Sequence, residues 1–188
     1  MTIAGVLLAA GAGRRMGRPK ALLTWQGEPL VRRAARVALE AGLQPVVVVL
    51  GAAAEEARRA VADLPVQVVF NPRWEAGMGT SVAAGVAALP PETQAAVFLL
   101  VDQPFVTPAV IRALVAYHHN TGAPVVAPAV GGRRTNPVLF AAALFPQLRQ
   151  LRGDKGGRAL FDRYPPALVP WPDARLAVDW DRPEDVAT

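Results

Sequence analysis

Residues 46–50, Val-Val-Val-Val-Leu, carry no polar side chain, and a strand of that composition belongs in a sheet covered on both faces. Comparable apolar runs recur at residues 6–10 and 96–101, and a further strand pattern at 66–70, with helical patterns at 53–62 and 80–89 between them. That alternation predicts parallel strands joined by crossover helices. Pro29 is placed to open a helix with Leu30, Val31, Ala34, Ala35, Ala38 and Leu39 as its apolar positions, and Gly42 to end it. Thr107 is positioned to cap a helix running from Pro108 towards His119. Beyond it the rhythm changes to an apolar stretch at 125–127, a Gly131-Gly132 turn, a run at 136–140, two short helical stretches and a proline-rich return. With no internal repeat, linker or low-complexity tract, residues 1–188 are expected to form one α/β domain, mostly parallel, with an irregular and partly antiparallel C-terminal part.

The first strand runs into Leu8-Ala9-Ala10-Gly11-Ala12-Gly13-Arg14-Arg15-Met16-Gly17-Arg18-Pro19-Lys20. Gly11, Gly13 and Gly17 are free to take positive φ and leave their amides uncovered, so several N–H groups can converge on an anion. Arg14, Arg15, Arg18 and Lys20 add full charges. Lys20 and Lys155 are the only lysines among 20 basic residues, which suggests a need at each place for a compact, mobile point charge. A Walker A loop is excluded, because Arg18 and Pro19 separate Gly17 from Lys20 and Ala21 supplies no hydroxyl. A nicotinamide site is disfavoured, because the second strand closes on Gly51-Ala52 with no carboxylate to hold a ribose. The plain alternative is a glycine-rich connector beneath a solvated arginine face.

The net charge of +5 is scattered among acidic residues, and no stretch interleaves basic with aromatic side chains as nucleic-acid binders do. The excess suits anionic small molecules. Nucleic acid and membrane are not expected as partners: the opening apolar run is short and lacks a basic leader. The absence of cysteine removes disulfides and thiolate ligands and fits a cytoplasmic setting.

Asp102 follows the fourth strand in Val101-Asp102-Gln103-Pro104. Ligands of open α/β sheets bind beyond the carboxyl ends of the strands, so Asp102 is expected on the same edge as the glycine-rich turn. A carboxylate facing phosphates implies a bridging Mg2+; a turn or capping aspartate is the alternative. If residues 177–180 are extended, Asp179 and Asp181 point to one side, where either could reach the metal. Asp181 could equally cap a helix beginning at Arg182-Pro183. In the stretch from Asn71 to Val82, the glycines including Gly79 permit close approach to a flat ring, and Ser81 can offer a hydroxyl to a base or sugar. An ordinary loop capped by Thr80 or Ser81 fits as well. Met16, Met78, Trp25 and Trp74 are expected to pack, though Trp74 lies within the 71–82 stretch, where ring stacking stays open for it. His118 and His119, adjacent on a helix end, are expected at the surface.

Together these pieces resemble the molybdenum cofactor cytidylyltransferase group of the MobA-like nucleotidyltransferases. The resemblance rests on the 8–20 turn, the 71–81 stretch, Asp102-Gln103-Pro104, Asn136-Pro137-Val138, Gly153-Asp154-Lys155-Gly156-Gly157-Arg158 and Asp179-x-Asp181-x-Pro183-Glu184-Asp185. Arg182 stands where the last motif usually carries threonine. The resemblance implies a Rossmann-like three-layer sandwich and transfer of CMP from CTP to the terminal phosphate of molybdopterin. Lys20, Arg15 and Asp102 would be catalytic, with Mg2+ on Asp102 and Asp181. Leu8, Ala9, Ala10, Gly11, Ala12, Gly13, Lys20, Asn71, Gly79, Ser81 and Asp102 would bind the nucleotide, and Arg134, Asn136, Gly153, Asp154, Lys155 and Arg158 the acceptor. Ala10, in place of the glycine usual in guanylyl-transferring relatives, favours CTP. A molybdoenzyme client is a further implied partner. The alternatives are a CTP- or UTP-dependent enzyme for a sugar or polyol phosphate, a guanylyl-transferring relative, and a nucleotide-binding chaperone that delivers the finished cofactor.

Overall fold

A computed structural model describes residues 2–187. Among them, strands β1 (Ile3–Ala9), β4 (Val46–Leu50), β5 (Gln67–Phe70), β6 (Ala95–Leu100), β7 (Val125–Val130), β8 (Arg133–Arg134), β9 (Val138–Ala141) and β10 (Ala167–Pro170) form one sheet. A separate hairpin pairs β2 (Thr24–Trp25) with β3 (Glu28–Pro29). The main path runs β10-β7-β9-β6-β1-β4-β5, with β8 folded back on β7. Pairs β6-β1, β1-β4, β4-β5 and β7-β10 are parallel. β9 runs antiparallel to both β6 and β7, which is the partly antiparallel C-terminal region expected from sequence.

Strand alternation builds a core on each face. Ile3, Leu7 and Ala9 of β1 join Val46, Val48 and Leu50 of β4 in one cluster, which packs on α1 (Leu30–Glu40), α2 (Ala54–Ala60) and α4 (Pro108–Thr121). Ala4, Val6 and Leu8 join Val47 and Val49 on the other face, beneath α3 (Met78–Ala87) and α5 (Phe145–Arg149). Every residue of β4 is buried, as its composition requires. The chain is thus a three-layer α/β sandwich.

Several elements differ from the sequence reading. α3 begins at Met78 with Gly77 as N-cap, and the Thr80 hydroxyl donates back to the Gly77 and Arg73 carbonyls instead of capping. Thr107 is the N-cap of α4 by backbone position, without a side-chain cap bond. His118 is a buried residue whose Nδ1 lies 2.8 Å from the Ala123 carbonyl, while His119 is exposed. The adjacency of the two histidines sends one inward and one outward.

Because β6, β1, β4 and β5 are parallel and β9 opposes them, one sheet edge collects the chain after β1, after β5 and after β6 together with the chain entering β9. The Gly11–Lys20 turn, Asn71, Asp102 and Asn136 therefore share that edge.

Candidate active site

The turn after β1 is held by its own geometry. Gly13 has φ 62° and Gly17 φ 75°, and a Cβ at Gly13 would overlap the Arg18 carbonyl. Gly11, by contrast, faces open space without positive φ. Between them Arg14–Met16 make a 3-10 turn whose Met16 N–H donates to the Gly13 carbonyl at 2.9 Å. Met16 is buried and anchors the turn, leaving Arg14 and Arg15 exposed. A pocket of about 220 Å³ is lined by Gly13, Arg14, Arg15, Lys20 and Asp181.

Lys20 is the hub. Its ammonium donates to Asp102 Oδ2 at 2.6 Å and to Asp181 Oδ1. Burial pulls its pKa down most strongly as a single cause, but the hydrogen bonds and charges of the two aspartates together outweigh it and raise the pKa. Asp102 Oδ1 is buried without a hydrogen-bond partner among the described residues. Asp102 follows β6, and Asp181 is brought to it by the main chain: the Trp180 N–H donates to the Asp102 carbonyl at 2.9 Å, with the Trp180 ring fully buried.

Asp179 and Asp181 do not act as neighbours on a strand. Residues 178–181 are irregular, and Asp179 instead accepts from Gln103 Nε2 at 2.6 Å. Burial raises its pKa, reinforced by Asp102 and Asp181 against the Gln103 hydrogen bond and Lys20. The capping role read for Asp181 is reversed: Asp185 Oδ2 accepts from the Asp181 and Arg182 amides.

Two further clefts adjoin one another, the first of them bordered by Lys20. One of about 330 Å³ is lined by Leu8, Ala10, Gly11, Lys20, Trp74, Ser81, Asp102 and others. Asn71 braces it from behind: its Nδ2 donates to Thr80 and Ser81 at 2.9 and 3.0 Å, and its Oδ1 accepts from the Arg73 amide. Asn71 is therefore a buried strut, while Ser81 reaches the cleft. The second cleft, about 270 Å³, shares Leu8, Met78, Leu100 and Asp154 with the first and adds Arg134, Asn136, Lys155, Arg158 and Asp179. Arg134 lies over the Phe161 ring at 4.5 Å, and burial followed by the nearby Arg158 lowers its pKa.

The close approach that Gly77 and Gly79 permit is to protein. A Cβ on Gly79 would come within 2.8 Å of the Arg152 backbone, and one on Gly77 within 2.5 Å of the Gly153 carbonyl oxygen. The Gly79 amide donates to that carbonyl at 2.8 Å. Gly79 and Gly153 thus join the loops bordering the two clefts. Met78 between them is 42% exposed and borders both clefts, not the packing residue expected. Ala9 is buried at the end of β1, and Ala12 is half-buried in the turn. Gln103, Trp180 and Met78 were missing from the residues chosen by sequence; the placement of Gln103 directly after Asp102 was the available signal.

Asp102 and Asp181 fit a divalent cation. Two carboxylates already converge on one positive charge, with a buried oxygen to spare. Among the described residues no group of three or more His, Cys, Asp or Glu forms a cage, and a small hard ion of the Mg2+ type characteristically takes one or two carboxylates and completes its shell with water and substrate phosphates.

Residues 5–168 match the MobA-like NTP transferase domain. The chain belongs to that family. It is 39% identical over 179 residues to a nicotine blue oxidoreductase of Paenarthrobacter nicotinovorans, covering 89% of this chain and 84% of that one. It is 33% identical over 198 residues to a probable molybdenum cofactor guanylyltransferase of Opitutus terrae, covering 97% and 92%. Among solved structures, Rv0371c of Mycobacterium tuberculosis H37Rv superposes with a TM-score of 0.87 at 28% identity, covering 100% of this chain and 96% of that one. A complex of the same protein with manganese gives 0.83 at 28% identity, covering 100% and 97%. The protein is a nucleotidyltransferase of the MobA-like family, for which a divalent metal is consistent. No helix among the described residues is long and apolar enough to cross a membrane.

Proposed function

We propose that the protein transfers CMP from CTP to the terminal phosphate of a molybdopterin-type acceptor, releasing pyrophosphate. The observation that carries this reading is the position of Lys20, Asp102 and Asp181, with an arginine-lined phosphate pocket on one side and a cleft holding Arg134, Lys155 and Arg158 on the other. A phosphate monoester is already anionic. Its oxygen can attack the α-phosphorus of CTP as the bond to the β-phosphate breaks, with no protein base required. Catalysis then rests on alignment and charge.

In this reading Arg15 and Lys20, with amides of the Gly11–Gly13 turn, take the charge that leaves with pyrophosphate. Leu8, Ala10 and Ser81 border the nucleoside side, Ala9 and Ala12 belong to the chain that frames it, Asn71 holds Ser81 in place, and Gly79 docks the 152–154 loop beside it. Arg134, Asn136, Asp154, Lys155 and Arg158 receive the acceptor, with Gly153 fixing their loop. Asp102 and Asp181 hold Mg2+, which supplies charge neutralisation between the phosphates. The preference for CTP is supported by Ala10, which borders the nucleotide cleft.

A second reading follows from the relative named as an oxidoreductase. Two parallel incubations separate them: pyrophosphate release from CTP, molybdopterin and Mg2+ supports transfer, whereas consumption of NADPH with reduction of an added dye, and no pyrophosphate from the first mixture, supports redox chemistry. A chaperone would bind nucleotide and release nothing.

A further inference from the structure

Lys20 occupies the place best suited to a divalent ion. Its ammonium lies between Asp102 Oδ2 and Asp181 Oδ1, so the carboxylate pair already holds a cation. The arrangement is only half satisfied, since Asp102 Oδ1 is buried with no hydrogen-bond partner among the described residues. It is also reachable: the Asp181 side chain is 48% exposed. Lys20 borders both the pocket containing Arg14 and Arg15 and the cleft containing Asp102. A lysine ammonium is a point charge on a flexible stem, and a triphosphate beside Arg14 and Arg15 would offer it new anionic partners.

We propose that Lys20 is the resident counter-ion of the Asp102–Asp181 pair, and yields that place to a divalent metal when a nucleoside triphosphate gives its ammonium another partner. The inference rests on the reading of Asp102 and Asp181 as the metal-holding residues. Metal and triphosphate then bind with positive coupling, because each favours the displaced lysine, and the coupling is reciprocal. Removing the lysine should tighten metal binding while slowing turnover. A lysine that served phosphate alone would leave nucleotide-free metal binding unchanged.

The test is Mn2+ binding by calorimetry without nucleotide, for the wild-type protein, Lys20→Met, Asp102→Asn and the double variant. Lys20→Met should bind Mn2+ about tenfold more tightly or better, the scale of one lost charge-assisted hydrogen bond. A non-hydrolysable CTP analogue should tighten Mn2+ binding to the wild type far more than to the variant. Equal or weaker binding by Lys20→Met overturns the inference. If Asp102→Asn alone abolishes nucleotide-dependent Mn2+ binding while Lys20→Met gains nothing, the metal assignment stands and the counter-ion role falls. If the double variant binds as tightly as Lys20→Met, the ion sits elsewhere and both fall. Thermal unfolding guards against a folding defect: Lys20→Met, with two carboxylates left facing each other, should melt lower in chelator and recover with Mn2+. Failure to recover overturns the inference.

Discussion

The Trp180 N–H donates to the Asp102 carbonyl at 2.9 Å, so one main-chain bond fixes the distance between two carboxylates 79 residues apart in sequence, Asp102 and Asp181. The fully buried Trp180 ring, edge-on to Trp25 with centroids 6.0 Å apart, locks that bond in place. Trp180→Ala should therefore cost about 3–5 kcal/mol of stability, as expected for a deleted core aromatic. At a temperature where the variant remains folded, it should also lose activity because Asp181 drifts. Denaturant unfolding and turnover together check this; full activity would separate the ring from the site.

Asp102→Asn should abolish pyrophosphate release while the protein stays folded, because the carboxylate lies beyond the end of β6 and pairs with Lys20 instead of packing in the apolar core. Asp181→Ala should also be severely impaired. Asp179→Ala should be milder, since Asp179 pairs with Gln103 and not with Lys20. A pyrophosphate assay ranks the three, and the reverse order of Asp179 and Asp181 would transfer the role.

Lys20→Ala should slow turnover by roughly two to three orders of magnitude, the scale of one preorganised charge lost from a developing anion. Lys20→Arg should not restore it, because a planar fork cannot put its charge at the point where a lysine ammonium meets the leaving phosphates. Steady-state kinetics of both variants checks the claim. A fully active arginine variant would show that charge alone matters there.

Much of this architecture is legible in the sequence, because burial on both faces leaves strands such as β4 without polar residues. The edge position of Asp102 follows from parallel topology in the same way. Long-range contacts are not legible. Gly77-Met78-Gly79 has the composition of a loop, yet it opens α3 because the partners of its glycines are 152–154, far along the chain. Asp179 and Asp181 take different partners, Gln103 and Lys20, from distant parts of the chain, which no local period announces. The hairpin of β2 and β3 and the strand β10 are too short and too rich in polar or proline neighbours to give a pattern.

Gly79→Ala should destabilise the protein by about 1–3 kcal/mol, the usual cost of overpacking, because its Cβ would meet the Arg152 backbone. The displaced 152–154 loop should raise KM for the acceptor more than for the nucleotide. Thermal unfolding and separate KM measurements decide it, and an unchanged acceptor KM would uncouple the two loops.

Nucleotide choice is the property by which cytidylyl transfer stands or falls. Ala10 is buried and borders the cleft proposed for the nucleotide, and a methyl group there is worth about 1–3 kcal/mol of discrimination, so Ala10→Gly should weaken a preference for CTP over GTP without reversing it. The direct measurement is a single reaction holding CTP and GTP in equal amounts with molybdopterin and Mg2+, analysed for the nucleotide joined to the acceptor. A cytidylyl conjugate and an equal amount of pyrophosphate are expected; a predominantly guanylyl conjugate, or no conjugate at all, would refute cytidylyl transfer.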